Sequence, residues 1–339
     1  MNKKQIKINF MFFGEGFNPE DNFFTNLLRK QYNVKISDNP DYLFYSVYPE
    51  LKKTRNLSKK GDFIKNISPR VYVFLRQVYS KFILFLEGKN SRPTPPPGKY
   101  IKIFQGSEHV KPRMDECDWA FSSYFEGDIN HPHYMRLPAY VFNDFYLGKK
   151  IIPPKIRKTN FNKIKKEKNK FCNFIYSQEV ISRNDFFKKL SKYKKIDSPG
   201  RCMNNMSPIG NHNSSKKSRM FENWIEEKLD FIKNYKFTIA FENASIPGWS
   251  TEKLTHPMLV NSIPIYFGHK DISKEFNPKS FININDFKNI DEMIKHIIRV
   301  DNDDKLYKKY LKEPFYTKDN NVNYFDEKRY LNQFKKIFG

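Results

Sequence analysis

Short apolar runs alternate with segments of helical spacing twice along this chain. That double alternation restricts it to an α/β architecture built on parallel sheets. In the first series Lys7–Phe13 reads as a strand, Asp21–Tyr32 as a helix, and Asn33–Ser37 and Tyr42–Ser46 as further strands. After an interruption the pattern resumes with strands Tyr100–Gln105 and Trp119–Ser123. The second series runs strand Phe171–Tyr176, helix Arg183–Leu190, strand Lys195–Asp197, helix Phe221–Asn234, strand Phe237–Glu242, helix Glu252–Val260 and strand Ile263–Phe267. A tail with Phe325, Tyr330, Leu331, Phe334 and Phe338 at helical spacing reads as a last docking helix. A length of 339 residues suits two such domains.

Composition removes several alternatives. Aromatic residues make up 17% of the chain, far too much ordering surface for a wholly disordered protein. The 3 cysteines, Cys117, Cys172 and Cys202, contain no CxxC pair, which excludes a disulfide scaffold and a cysteine-based zinc module and fits a reducing compartment. No stretch has the ~20 nearly uncharged apolar residues of a membrane span. The start resembles a signal peptide only superficially: Lys7 and Asn9 break its apolar run and no small-residue cleavage site follows, so it is read as a buried first strand. A cytoplasmic protein is expected.

Lys and Arg exceed Asp and Glu by 24, which invites a polyanionic partner such as nucleic acid, an anionic membrane or a phosphate-bearing substrate. The charge is spread through Lys-rich and Asn-rich segments, so part of it is solvated surface. Residues 53–97 form an insertion in the first series. Within it Val71–Glu87 carries a wide apolar stripe at helical period, suited to packing on the domain's own surface, to a membrane surface or to a partner. Arg92–Gly98 is a stiff, proline-rich exit. Residues 153–170, opening on Pro153-Pro154 and rich in lysine, read as a basic interdomain linker. The expected divisions are 1–152, the linker 153–170, 171–315 and a C-terminal helix within 316–339.

The densest chemistry lies in Phe237–Lys253. A buried strand ends at Glu242-Asn243, a loop with Pro247-Gly248 follows, and Thr251-Glu252-Lys253 opens a helix. In doubly wound sheets ligands sit outside the carboxyl ends of strands, and a helix N-terminus there offers free N–H groups to an anion. A lysine on that first turn adds a full positive charge. The same residues also suit an ordinary loop, with Ser250 or Thr251 capping the helix, Glu252 favoured near its start and Lys253 solvated.

Four segments in order carry a resemblance: Phe241-Glu-Asn243, Gly248-Trp-Ser-Thr-Glu-Lys253, Ile263-Pro-Ile-Tyr-Phe-Gly268 and Phe276-Asn-Pro-Lys-Ser-Phe-Ile282. Together they resemble the signature of the α1,3/4-fucosyltransferases, glycosyltransferase family 10. Ser177, Ser182-Arg183-Asn184 and Asp197-Ser-Pro-Gly-Arg201 are similar to further elements of that family, as are Ile103–His109, Asp118–Phe121 and Tyr134-Met-Arg-Leu-Pro138. The resemblance implies a GT-B fold, two facing Rossmann-like domains, with acceptor side in 1–152 and donor side in 171–315. It also implies inverting transfer of fucose from GDP-β-L-fucose to a hydroxyl of a glycan acceptor, α1,3 on a GlcNAc-type sugar.

By the same resemblance Glu108 falls on the family's catalytic glutamate, a general base for the attacking hydroxyl. Arg183 and Lys253 fall on its phosphate-binding cations, which would oppose the charge developing on the leaving diphosphate. Asn243, Glu252 and Ser177 fall on donor-contacting positions. Trp249 stands where the family usually has Tyr, which keeps a ring but loses a phenolic hydrogen bond. His109 and Arg136 are acceptor-side candidates, with His109 in place of the usual Asn and Gln105 in place of a common Tyr. These departures leave room for an acceptor other than N-acetyllactosamine, an oligosaccharide or a lipid-linked glycan.

Asp301-Asn-Asp303 matches an Asp-x-Asp metal motif literally but lies away from the donor motif, between two helical stretches, and reads as a polar turn. No cofactor and no essential metal are expected, since Arg183 and Lys253 can neutralise the leaving group. The insertion and the positive charge point to peripheral attachment at the inner face of an anionic membrane. Two rival readings are the same fold with a different GDP-sugar and a nucleic-acid-binding protein. The second gives Glu108 and Glu252 no role, and no nucleic-acid partner is expected.

Overall fold

A computed structural model of the chain describes residues 3–14, 17–48, 93–106, 110–146, 160–209, 224–317 and 324–339. The first lobe contains β1 (Gln5–Met11), α1 (Phe23–Leu28), β2 (Asn33–Ile36), β3 (Tyr42–Tyr45), β4 (Ile101–Gly106), β5 (Trp119–Ser122), α2 (Glu126–Ile129), β6 (Tyr134–Arg136) and α3 (Ala139–Tyr146). Its strands form one parallel sheet in the order β2-β1-β3-β4-β5-β6. Strands β3 to β6 are short and largely buried, as a sheet covered on both faces requires, whereas the edge strand β2 alternates exposed and half-buried residues. Helix α1 starts where the Asn22 side chain accepts the backbone N–H groups of Phe24 and Thr25, at 3.0 and 3.1 Å. It ends at Leu28, four residues short of the expected Tyr32, because β2 begins at Asn33 and the chain must turn first.

The second lobe contains α4 (Phe161–Glu167), β7 (Lys170–Asn173), α5 (Ile181–Leu190), β8 (Ile196–Asp197), α6 (Trp224–Ile232), β9 (Tyr235–Phe241), α7 (Glu252–Leu259), β10 (Ile263–Phe267), β11 (Ile282–Asn283), α8 (Ile290–Asn302) and α9 (Asp304–Lys312). Its parallel sheet runs β11-β10-β9-β7-β8. Numbered from its own first strand, this order reverses direction between β7 and β9, just as the first sheet reverses between β1 and β3. Both are doubly wound sheets of the 2-1-3-4-5 type, and each has a switch point at which a crevice opens beyond the strand ends.

The linker expected at 153–170 is not what the structure shows over its described part. Residues 161–167 form helix α4, capped by Asn160, with Ile164 buried in the second lobe's core and Lys165 paired to Asp304. Two apolar residues among many lysines, Phe161 and Ile164, are too few to show a period, yet suffice to dock the helix. Residues 151–159 and positions 53–92 of the insertion, including the amphipathic stretch Val71–Glu87, lie outside the described residues.

The last helix, α10 (Glu327–Phe338), returns to the first lobe. Phe334 packs on Phe24 and Phe121, and the Lys4 ammonium donates to the Phe338 carbonyl at 2.6 Å. One continuous apolar core joins these residues to Leu254, Met258 and Tyr266 of the second lobe. The two sheets present their carboxyl ends to each other. Ser123 and Arg136, at the ends of β5 and β6, touch Gly248 and Glu275, which follow β9 and β10. Two Rossmann-like lobes meeting this way form a GT-B architecture. Among the described residues no helix is long and apolar enough to cross a membrane.

Candidate active site

The second sheet's switch point gathers side chains from two strand ends. After β7 the chain passes through Tyr176 and Ser177 to Arg183 on the first turn of α5. After β9 it reaches Glu242 and Asn243, then the loop that opens α7. Arg183 is 1% exposed and bridges the crevice: its Nη2 donates to Asn243 Oδ1 at 2.6 Å. Its guanidinium lies 3.8 Å from the Tyr176 ring centroid, a cation–π contact that fixes the plane of the fork. Arg183 Nε is buried with no hydrogen-bond partner among the described residues.

Tyr176 is itself held rigidly. Its hydroxyl donates to the Ile239 carbonyl at 2.8 Å and accepts from the Phe241 N–H at 2.7 Å. Burial pushes the phenol up to about 12, with the charges of Arg183 and Lys253 pulling the other way, so both cations bear on this one ring. Gly200 packs its Cα against the Tyr176 backbone, where a Cβ would sit 2.3 Å from the carbonyl oxygen. The Asp197–Arg201 segment therefore shapes the crevice by close approach.

Lys253 emerges from the first turn of α7, whose cap is Thr251. Its ammonium pairs with the buried Glu242 carboxylate at 3.2 Å and with Thr251 Oγ1 at 3.1 Å. Glu242 also accepts from the Thr251 N–H and hydroxyl, both at 2.8 Å. Burial alone would lower Lys253, but Glu242 and Glu252 outweigh it and hold the lysine well above its ordinary value. Glu252 is partly exposed, with Lys228 at 3.7 Å. Burial would raise its carboxyl, yet Lys253, Lys228 and His256 keep it far below the usual carboxylate range. At neutral pH the crevice thus holds a charged Lys253 and a charged Glu252.

The structure therefore brings together Arg183, Asn243, Lys253 and Glu252, with Ser177 partly buried next to Tyr176 and Trp249 buried in the α7 approach loop. Glu242 and Tyr176, which orient the two cations, went unassigned in the sequence. The only signal was their place at strand ends. Glu108 and His109 lie outside the described residues. β4 ends at Gly106, two positions earlier, on the carboxyl side of the sheet that faces the seam.

Two residues take roles other than those expected. Arg136 is fully buried and bound to Glu275, Gly248 and Ser123, so it offers no free group to an acceptor. Gln105 is buried too, bonded to Ser46. Asp301 is buried between Lys194 and Lys236, while Asp303 caps α9 through the N–H groups of Lys305 and Leu306. The Asp-x-Asp sequence is the last two residues of α8 and the cap residue between α8 and α9. Among the described residues no three His, Cys, Asp or Glu side chains converge as a metal site.

The glycosyltransferase family 10 (fucosyltransferase) C-terminal profile matches residues 164–333, half of the chain and all of the crevice just described. The chain belongs to that family. The alpha-(1,3)-fucosyltransferase FucT N-terminal domain profile matches residues 8–60. Alpha-(1,3)-fucosyltransferase FucT of Helicobacter pylori is 28% identical over 255 residues, covering 70% of this chain and 51% of that protein. Alpha-(1,3)-fucosyltransferase B of Drosophila melanogaster is 37% identical over 132 residues, 39% of this chain and 29% of that one. The chain thus spans about half or less of these curated relatives. A crystal structure of an alpha1,3-fucosyltransferase with GDP superposes with a TM-score of 0.66 at 21% identity, covering 99% of this chain and 90% of that one. That likeness establishes the GT-B fold for this member of family 10.

Proposed function

We propose that this family 10 enzyme transfers L-fucose from GDP-β-L-fucose to a hydroxyl of a glycan acceptor with inversion, α1,3 on a GlcNAc-type sugar. The observation that carries the donor half is the pair of cations at the switch point, Arg183 and Lys253, the first oriented by Asn243 from the other strand end and the second by Glu242 from its own. A nucleoside diphosphate placed there would meet two positive charges and the positive end of the α7 dipole, which would oppose charge building on the leaving phosphate. Asn243 and Glu252 suit ribose or sugar hydroxyls, Trp249 a ring contact and Ser177 a further polar contact.

Glu108 serves as the base that takes the acceptor proton, with His109 beside it on the acceptor side. Support for this is positional: Glu108 follows the end of β4, whose neighbour β5 ends at the seam. No metal enters the proposed step, because the two cations balance the departing diphosphate. The insertion 53–97 and the positive charge support a cytoplasmic enzyme held loosely to the inner face of a membrane, where lipid-linked acceptors lie. Deleting that insertion should then abolish liposome binding and leave donor affinity unchanged.

Isothermal titration with GDP, followed by GDP-fucose transfer to an acceptor panel, tests the reading. Glu108→Gln should keep GDP affinity and lose transfer by roughly 100-fold or more. Undiminished turnover would remove Glu108 as the base. Tighter protection by GDP-mannose than by GDP-fucose in a thermal-shift competition would favour another GDP-sugar.

A further inference from the structure

The loop between β9 and α7 is held from the opposite lobe. Arg136, the last residue of β6, has no exposed surface, and its fork is fully occupied. Nε donates to the Ser123 carbonyl at 2.9 Å, within its own lobe. Nη1 and Nη2 grip the Glu275 carboxylate at 2.5 and 2.8 Å, and Nη2 also donates to the Gly248 carbonyl at 3.0 Å. The guanidinium lies between two aromatic rings, Phe125 at 4.4 Å and Tyr324 at 4.6 Å. Glu275 is further held by the Tyr140 hydroxyl at 2.8 Å. The pair is thus desolvated, bidentate and satisfied on all sides, the condition under which a buried ion pair defines one geometry.

Gly248 is the point of contact, and it is suited to nothing larger. Its φ is +71°, and a Cβ would lie 2.2 Å from the Ser123 carbonyl oxygen. Arg136 therefore binds both carbonyls at this contact, Ser123 in one lobe and Gly248 in the other. Two residues further on, the Tyr140 N–H donates to the Ser250 carbonyl at 3.2 Å, a second tie from the first lobe. Thr251, Glu252 and Lys253 follow at once. The α7 N-terminus is thus held twice: by Glu242 within its own lobe, and at Gly248 and Ser250 by groups of the first lobe.

We infer that Arg136 and Glu275 are positioning residues: they form a clasp between the lobes that holds the donor loop 244–250 in its binding geometry. Donor affinity is thereby governed from the acceptor-side lobe. This rests on the donor-site reading above, but the clasp itself can be tested without it. Arg136→Lys keeps the charge and loses the fork, since one ammonium cannot span Glu275 and the Gly248 carbonyl with the same geometry.

In the Lys variant the amides of Trp249 and Thr251 should exchange hydrogen about tenfold faster, while those of Ile239 and Ala240 in β9 stay unchanged. KM for GDP-fucose should rise about tenfold with kcat within about threefold, the loss expected for one charge-assisted bond made equally before and during reaction. If Arg136→Lys does not fold, the charge-free pair Arg136→Met with Glu275→Gln preserves the packing between the rings and the bond to Tyr140, and should show the same two effects. Unchanged exchange across 249–251 in a folded variant overturns the clasp, whether or not the protein transfers fucose. Faster exchange with an unchanged donor KM overturns its link to the donor. A wild-type protein that neither binds GDP nor transfers sugar refutes the donor reading instead, leaving the exchange result to decide the clasp.

Discussion

At the scale of single residues, the site is made of charges that hold one another. Lys253, proposed above to meet a phosphate, also neutralises Glu242, which is 1% exposed. Removing the cation alone strands a buried carboxylate, so Lys253→Met should lose roughly 3–5 kcal/mol of stability in urea unfolding. Adding Glu242→Gln should recover most of that loss without restoring GDP binding. That combination separates the structural half of the lysine's role from the ligand half. His269 behaves differently. Both ring nitrogens are buried without a hydrogen-bond partner among the described residues, beside Phe125 and near Glu275, Arg136, Asp271 and Lys274. Burial lowers its pKa from 6.5 to about 4. The unfolded chain therefore binds the proton first as pH falls. Its contribution is intact above pH 6.5 and is lost between there and about 4, a loss of roughly 3 kcal/mol. His269→Asn should flatten the stability slope in that window, and an unchanged slope would exclude this group as its source.

At the scale of elements, helices carry the parts that periodicity reads least well. α10 has a clear apolar stripe, and the structure shows where it goes: Phe334 is 0% exposed against Phe24 and Phe121. Phe334→Ala should cost about 3–5 kcal/mol, measured by chemical denaturation, although the residue is far along the chain from both neighbours. α4 shows the opposite case. Its lysines face water and salt partners, and Phe161 and Ile164 are the residues that reach the core, too short a pattern to distinguish from a linker. β6 and β11, with three and two residues, are strands only because a neighbouring strand supplies their hydrogen bonds.

At the scale of the whole molecule, the two lobes do not behave as separate bodies. A single apolar core contains residues of both, the last helix crosses back to the first lobe, and the Arg136–Glu275 pair is buried between them. Scanning calorimetry should accordingly show one transition, with calorimetric and van't Hoff enthalpies in agreement. Two resolved transitions would mean that the seam contributes little to cohesion. The same seam implies a crevice formed before ligand arrives, so GDP should change the radius of gyration negligibly in small-angle scattering.

The residues alone were enough to establish the alternating elements, the second lobe's strand ends and the motif from Phe241 to Ile282, because each depends on local spacing or on contiguous residue types. Strands β9 and β10 fall within two residues of their expected ends for that reason. Strand order depends on residues tens of positions apart, and the return of α10 and the contacts of Arg136 with Gly248 and Glu275 on residues more than a hundred apart; nothing in the neighbourhood of Arg136 announces Glu275. Only packing decided that the arginine ending β6 binds Glu275 and the loop before α7, since a buried guanidinium must find its counter-charge wherever the fold places one.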